Sequence, residues 1–258
     1  MTDQQQTILI AASGAVPALI VMAYFDWLDR KRPEPRSLRR KAAFFGMLSV
    51  IPVLLIDGGL MKAFAGKAEA AGPYHVALFQ AFIVAAMVEE FCKIGVVYWS
   101  VWNKKEFDER MDGIVYAARA GLGFALVENI LYMSQQGDLK AAAFVWTLRA
   151  LLAVPGHAVW TGIMGYLVAR RRFDKRGPGF LGGYLIAVFL HGAYDVSIFL
   201  QVPLRADGMD ALAGGLLLVP LVVTFIGWRT IRRMARTALK LDDASEAASG
   251  HTATKSAT

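Results

Sequence analysis

Seven stretches of predominantly apolar residues, each long enough for a transmembrane helix, run through this 258-residue chain with short polar or basic segments between them. About 20 such residues in an α-helix cross the roughly 30 Å hydrocarbon core of a bilayer. Inside lipid every backbone N–H and C=O must be paired within the protein, so only helices and closed barrels span it. Alternating ten-residue strands, the mark of a barrel, do not occur. The pattern predicts an all-α, polytopic transmembrane helix bundle of about seven spans, near 8–25, 42–61, 76–101, 113–133, 142–169, 180–200 and 211–228. Composition agrees: 56% of residues are hydrophobic and only 19% charged, against about a quarter charged in soluble domains. The first run, "TILIAASGAVPALIVMAYF", lacks a basic segment before it and a small-residue cleavage site after it, and reads as a retained span.

The net charge of +7 does not point to nucleic acid, because the basic residues sit at the ends of the apolar runs. The segments 26–41, 102–111, 170–178 and 229–240 hold twenty Lys and Arg, and the alternate connections hold four: Lys62, Lys67, Lys140 and Arg205. Under the positive-inside rule this places the N-terminus outside and the C-terminus in the cytoplasm. A single transmembrane domain is expected to about residue 240, with its core near 76–200. The small polar segment 241–258 reads as a disordered cytoplasmic tail. The single cysteine, Cys92, excludes an intramolecular disulfide and says nothing about compartment.

Ionisable residues interrupt four of the apolar runs. The third holds Glu89, Glu90 and Lys93, and the fourth Arg119, Glu128 and Asn129; the fifth holds Arg149 and His157, and the sixth His191 and Asp195. Each costs roughly 2.5–3.5 kcal/mol at a bilayer centre, which makes it a functional candidate. Counted from the cytoplasmic ends at about 1.5 Å per residue, Glu89, His157 and His191 lie roughly 18–20 Å deep, and Glu128 and Asp195 roughly 24 Å. Four helices thus place their costly groups at one level, between the midplane and the outer half. Glu89/Lys93, Phe124/Glu128 and His191/Asp195 are four apart and share helix stripes. Glycines around them permit close helix approach, and Pro155 can open the fifth helix locally. Either charged pair alone could be an ion pair that only fixes packing; a bundle does not need the whole set at one depth. Arg119 and Arg149 read as snorkelling or paired residues.

Adjacent carboxylates cannot both ionise cheaply, so Glu89 and Glu90 suit a general base for water and then a general acid. His157 and His191 could orient that water or stabilise an oxyanion, Asp195 could fix a histidine tautomer, and Asn129 offers a neutral donor. Lys93 could keep one carboxylate charged. The set points to hydrolysis without a Ser or Cys nucleophile. It also suits a divalent metal such as Zn²⁺, with Glu128, His157, His191 and Asp195 as candidate ligands, although no His-Glu-x-x-His is present. Sequence leaves the glutamate-activated and metal-bound waters both open.

The segments "DRKRPEPRSLRRKAAFFG", "VEEFCK", "MDGIVYAARAGLGFALVENILY", "RALLAVPGHAVWTGIMGY" and "LHGAYD" resemble, in order, the motif blocks of the PrsW family of bacterial intramembrane proteases. That family is distantly similar to CAAX-prenyl-protease and bacteriocin-processing enzymes. The resemblance runs from about residue 26 to 196. It implies that Glu89 and Glu90 carry the essential acid/base function, that Glu128, Asn129, His157, His191 and Asp195 complete the site, and that Lys93 fills the motif's basic position. It further implies a multi-pass protein of the bacterial inner membrane that cuts membrane-anchored regulators such as an anti-sigma factor. Two other classes fit the buried residues alone. A proton-coupled transporter or channel would use the same Glu, His and Asp groups, but the inverted repeats with paired broken helices expected of one are not seen. A catalytically silent binding protein would share the fold.

Overall fold

The computed structural model of the chain describes residues 3–255, and among them there is no strand. The helices are α1 (Asp3–Ser13), α2 (Ala15–Leu28), α3 (Arg36–Leu48), α4 (Val50–Ala71), α5 (Pro73–Phe79), α6 (Val88–Ser100), α7 (Arg110–Ser134), α8 (Leu139–Leu148), α9 (Val154–Asp174), α10 (Gly179–Phe199), α11 (Gln201–Ala206), α12 (Asp210–Leu216) and α13 (Leu218–Lys255). Local chemistry sets several boundaries. Gly72 at φ 86° and Pro73 at the first position of α5 turn the chain between α4 and α5. Glu109 and Asp112 form a reciprocal capping box at the start of α7. Asp138 caps α8 by accepting the Ala141 N–H at 2.9 Å. Lys175 in the left-handed region, followed by Gly177 and Pro178, ends α9.

Six stretches are long and apolar enough to cross a membrane: Thr7–Leu28, Arg36–Ala68, Arg110–Ser134, Leu139–Asp174, Gly179–Ala206 and Asp210–Ala248. The seventh predicted span, 76–101, is the stretch from Pro73 to Ser100, helical throughout through α5, a π-helical segment and α6. It differs from the other six in carrying Glu89, Glu90 and Lys93, which lower its apolarity. With it, the four basic connections fall at one end of the bundle.

The centre of the bundle is α7, buried on every side from Met111 to Ala125 apart from Arg119. It is flanked by α2, α3, α6 and α9. Contact with α9 is close because Gly121 lacks a side chain: a Cβ there would lie 2.6 Å from the His157 carbonyl oxygen. That approach brings the outer part of α7, with Glu128, against the start of α9, with His157.

At the basic end, charged side chains lock the connections together. Arg32 pairs with Glu109 at 3.1 Å and Asp243 at 2.6 Å, and Arg110 pairs with Asp174 at 2.6 Å and Asp242 at 2.8 Å. Asp242 also accepts the Arg110 and Met111 backbone N–H groups at the start of α7, each at 3.1 Å. Residues 256–258 of the expected tail lie outside the described residues. Helix α13 continues to Lys255, with Asp242, Asp243, Ser245 and Glu246 meeting arginines of other segments. Beneath them Tyr116 donates to Glu34, and the Glu34 N–H donates to Asp29 at 3.1 Å.

Burial pushes the Asp29 carboxyl up to about 7, with the nearby Glu34 and Glu109 carboxylates acting in the same direction against the Glu34 N–H bond. A carboxyl raised in the folded state keeps a proton that the unfolded chain has lost, so its contribution declines as pH rises from about 4 to about 7. Asp29→Asn should leave thermal unfolding in detergent little changed at pH 4 and stabilise the protein at pH 8, by on the order of 4 kcal/mol. Equal effects at both pH values would contradict this.

Candidate active site

Two short π-helical segments precede the buried polar residues. Gln80–Met87 leads into α6, and Arg149–Ala153 joins α8 to α9. A π turn carries an extra residue, shifts the facing of the residues after it, and recurs at functional sites. Pro155 in the first turn of α9 has no N–H and sustains the break. Just beyond each segment the chain presents its polar groups, Glu89 and Glu90 after the first and His157 after the second, all buried.

The fully buried Lys93 holds these groups together. Its Nζ lies 2.8 Å from Glu89 Oε2, 2.9 Å from Glu90 Oε1 and 2.9 Å from His157 Nδ1, with the Phe124 ring 4.4 Å away. An ammonium only donates, so His157 Nδ1 accepts. In the neutral ring the proton is then on Nε2, which lies 3.0 Å from Glu128 Oε2. His191 has Nδ1 3.1 Å from Glu90 Oε1 and Nε2 3.2 Å from Asp195 Oδ2. Seven of the polar candidates thus form one connected cluster from α6, α7, α9 and α10, in keeping with their common depth.

Three assignments change with the geometry. Glu90 has no exposed surface and does not face the cavity at the site; Lys93, His191 and the Thr161 hydroxyl surround it. Asn129 does not line the cavity; one Nδ2–H donates to the Gly14 carbonyl at 3.2 Å and its Oδ1 accepts from Arg149 Nε at 2.5 Å. Arg149 is a member of the cluster, donating to Glu128 as well. Sequence reading missed Thr161 and Trp160. Trp160, whose indole stacks on His191 with centroids 4.5 Å apart, is three residues from His157, and Thr161 is four; both spacings lie on the His157 stripe. Cys92 lies outside the cluster, in a separate groove with Phe45 and Trp99.

Glu89, Glu128, His157, His191 and Asp195 form the polar floor of a cavity of about 530 Å³. Its walls are apolar, with Phe144, Leu148 and Leu152 on one side and Phe199, Leu217 and Leu221 on the other. The Trp160 Nε1 atom, in the same lining, is buried without a hydrogen-bond partner.

Glu89, His157 and His191 each offer a ligand atom, and the three atoms lie within 4.8 Å of one another. Glu89 Oε2 is 4.0 Å from His157 Nδ1 and 3.8 Å from His191 Nε2, while the opposite ring nitrogens face Glu128 and Glu90. Carboxylates behind ligating imidazoles are the usual support of a metal site. The charge balance agrees: four carboxylates meet two permanent cations, Lys93 and Arg149. The residue types and net charge fit a divalent cation, which would take the His157 Nδ1 lone pair that accepts from Lys93 Nζ in this structure. Of the four expected ligands, His157 and His191 belong to the converging set; Glu128 and Asp195 each contact one imidazole, and Glu89 supplies the carboxylate.

The sequence profile described as "PrsW family intramembrane metalloprotease" matches residues 34–227, three quarters of the chain. The chain belongs to the PrsW family. It is 38% identical to Protease PrsW of Geobacillus kaustophilus over 188 residues, covering 72% of this chain and 78% of that protein. It is 34% identical to Protease PrsW of Bacillus subtilis, covering 72% and 81%, and 29% identical to that of Clostridioides difficile, covering 72% and 77%. No solved structure matches. This PrsW member is a membrane-embedded peptidase with several membrane-spanning helices, and the transporter alternative gives way to it.

Removing the Lys93 ammonium leaves Glu89 and Glu90 buried without their common partner, a change that typically costs about 3–5 kcal/mol. Lys93→Met should lower the melting temperature in detergent by roughly 10 °C, at about 2–4 °C per kcal/mol. Cys92→Ser should change neither stability nor activity by more than a small margin. An unaltered melting temperature in Lys93→Met would contradict the assigned geometry.

Proposed function

We propose that this protein hydrolyses a peptide bond within or beside the span of a single-pass, membrane-anchored regulator, of which an anti-sigma factor is one example, in the bacterial inner membrane. The observation that carries the reading is the convergence of Glu89, His157 and His191 on the polar floor of an apolar-walled cavity. Apolar walls suit an unwound segment of a transmembrane helix, and a polar floor supplies water to its backbone. The cavity is built from the C-terminal halves of α7, α8 and α10 and the N-terminal ends of α9 and α13, opposite the basic connections. Cleavage in the extracytoplasmic half of the bilayer follows from that placement together with the positive-inside rule.

Glu89, His157 and His191 are the residues that would hold a divalent ion. Such an ion supplies a more acidic bound water and polarises the scissile carbonyl. Glu128 fixes the His157 ring through Nε2, and Glu90 fixes His191 through Nδ1. Asp195 faces the cavity with no Lys or Arg in ion-pair contact among the described residues. It is the carboxylate to take the proton from the attacking water and return it to the leaving amine, a role worth about 10²–10⁴ in rate.

Purified protein in nanodiscs with single-pass substrates tests this. Wild type should cut within or next to the span; Glu89→Gln and His191→Ala should each lose at least a thousandfold in rate. Asp195→Asn should lose about 10²–10⁴-fold. Cleavage at the wild-type rate by Glu89→Gln and His191→Ala would overturn the assignment.

A further inference from the structure

A second polar cavity, of about 230 Å³, lies at the basic end of the bundle, remote from the hydrolytic site. Its lining comes from three helices: Asp26 of α2, Arg36, Arg39 and Arg40 of α3, and Arg119 of α7. Four guanidinium groups thus share one carboxylate. Asp26 is already engaged, with Oδ2 2.6 Å from Arg39 and Oδ1 2.5 Å from Arg119. Among the described residues Asp26 is the one carboxylate in the lining, although Arg39 also lies within electrostatic reach of Asp29 and Glu34. The Nε atoms of Arg39 and Arg119 are buried and have no hydrogen-bond partner. Arg119 is also unlike the loop arginines that set topology, since it lies nine residues into α7, about 13 Å along the axis.

The surroundings have the polarity of a phospholipid. Arg36, Arg40, Phe44 and Leu48 follow one another at four-residue spacing along α3, and all four are exposed. They form a stripe with guanidinium groups at its outer end and apolar side chains deeper in the membrane. On α2, exposed Leu19 and Ile20 continue the apolar surface, and Trp27 marks the interface with the Arg30 guanidinium 4.4 Å from its ring. Arginine is suited to phosphate because its planar fork matches two phosphate oxygens at once. Basic pockets between helices on the cytoplasmic side are a known way of holding anionic headgroups.

We propose that this cavity binds a phosphate group, and that the phosphate is that of an anionic phospholipid of the cytoplasmic leaflet whose acyl chains lie along Phe44 and Leu48. The bound phosphate accepts from the exposed Arg36 and Arg40 guanidinium groups, with the charges of Arg39 and Arg119 beside it. In doing so it ties α2 and α3 to α7, the helix that carries Glu128 into the hydrolytic site.

The test uses full-length protein in detergent with phosphatidylcholine, titrated with phosphatidylglycerol or with inorganic phosphate and read by melting temperature and by lipid adducts in native mass spectrometry. Arg36→Gln/Arg40→Gln keeps the Asp26 ion pairs, so its melting temperature in phosphatidylcholine alone should match wild type. Its apparent affinity for phosphatidylglycerol should fall at least tenfold. Arg232→Gln/Arg233→Gln removes the same charge from exposed positions of α13 and should change affinity less than twofold. Stabilisation by phosphatidylglycerol without stabilisation by phosphate supports the lipid. Equal stabilisation by phosphate supports the anion site and overturns the lipid as its source. Equal responses of wild type and both variants, or no response to either probe, overturn the site.

Discussion

Lys93 puts a positive charge where α6, α7 and α9 meet, and the ammonium is saturated by Glu89, Glu90 and His157 at 2.8–2.9 Å. An ion in so dry a place persists only with near-ideal partners, because desolvation costs several kcal/mol per charge. The same contacts dictate much of the rest. Lys93 sets the acceptor nitrogen of His157, which turns the other nitrogen to Glu128, which in turn holds Arg149. Glu90 passes the constraint to His191 and Thr161. The arrangement is a network in which each polar group limits the orientation of the next, the condition under which buried polar groups specify one structure.

Backbone features make that network possible. The π-helical segments before α6 and α9 turn Glu89, Glu90 and His157 inward, and Gly121 allows α7 and α9 to approach within backbone contact. The outer surface is left to ordinary apolar side chains such as Leu55, Phe91 and Phe189, which are exposed as lipid-facing residues should be. Specificity is thus concentrated in a few polar positions, and hydrophobicity supplies the insertion.

Much of this was legible in the chain. Apolar runs marked the helices, the Lys/Arg distribution marked the connections that meet at one end of the bundle, and the common depth of Glu89, Glu128, His157, His191 and Asp195 pointed to one cluster. Partner geometry was not legible. That Glu90 lies behind Lys93, or that Asn129 donates to the Gly14 carbonyl, depends on helix rotations that a single extra residue in a π turn alters. Nor was the pairing of Asp242 and Asp243 with arginines more than 130 residues earlier in the chain legible, because it joins segments that no local pattern connects.

Side chains from three helices, Glu89 of α6, His157 of α9 and His191 of α10, meet at one point inside the bundle, and the hydrolytic site stands or falls with that meeting. Titration of the purified, metal-stripped protein with Zn²⁺, read as ions bound per chain, probes it without recourse to a substrate. One tightly held ion is expected in wild type, with loss of that ion in each of the single variants Glu89→Ala, His157→Ala and His191→Ala. Undiminished binding in any one of the three would refute a shared centre.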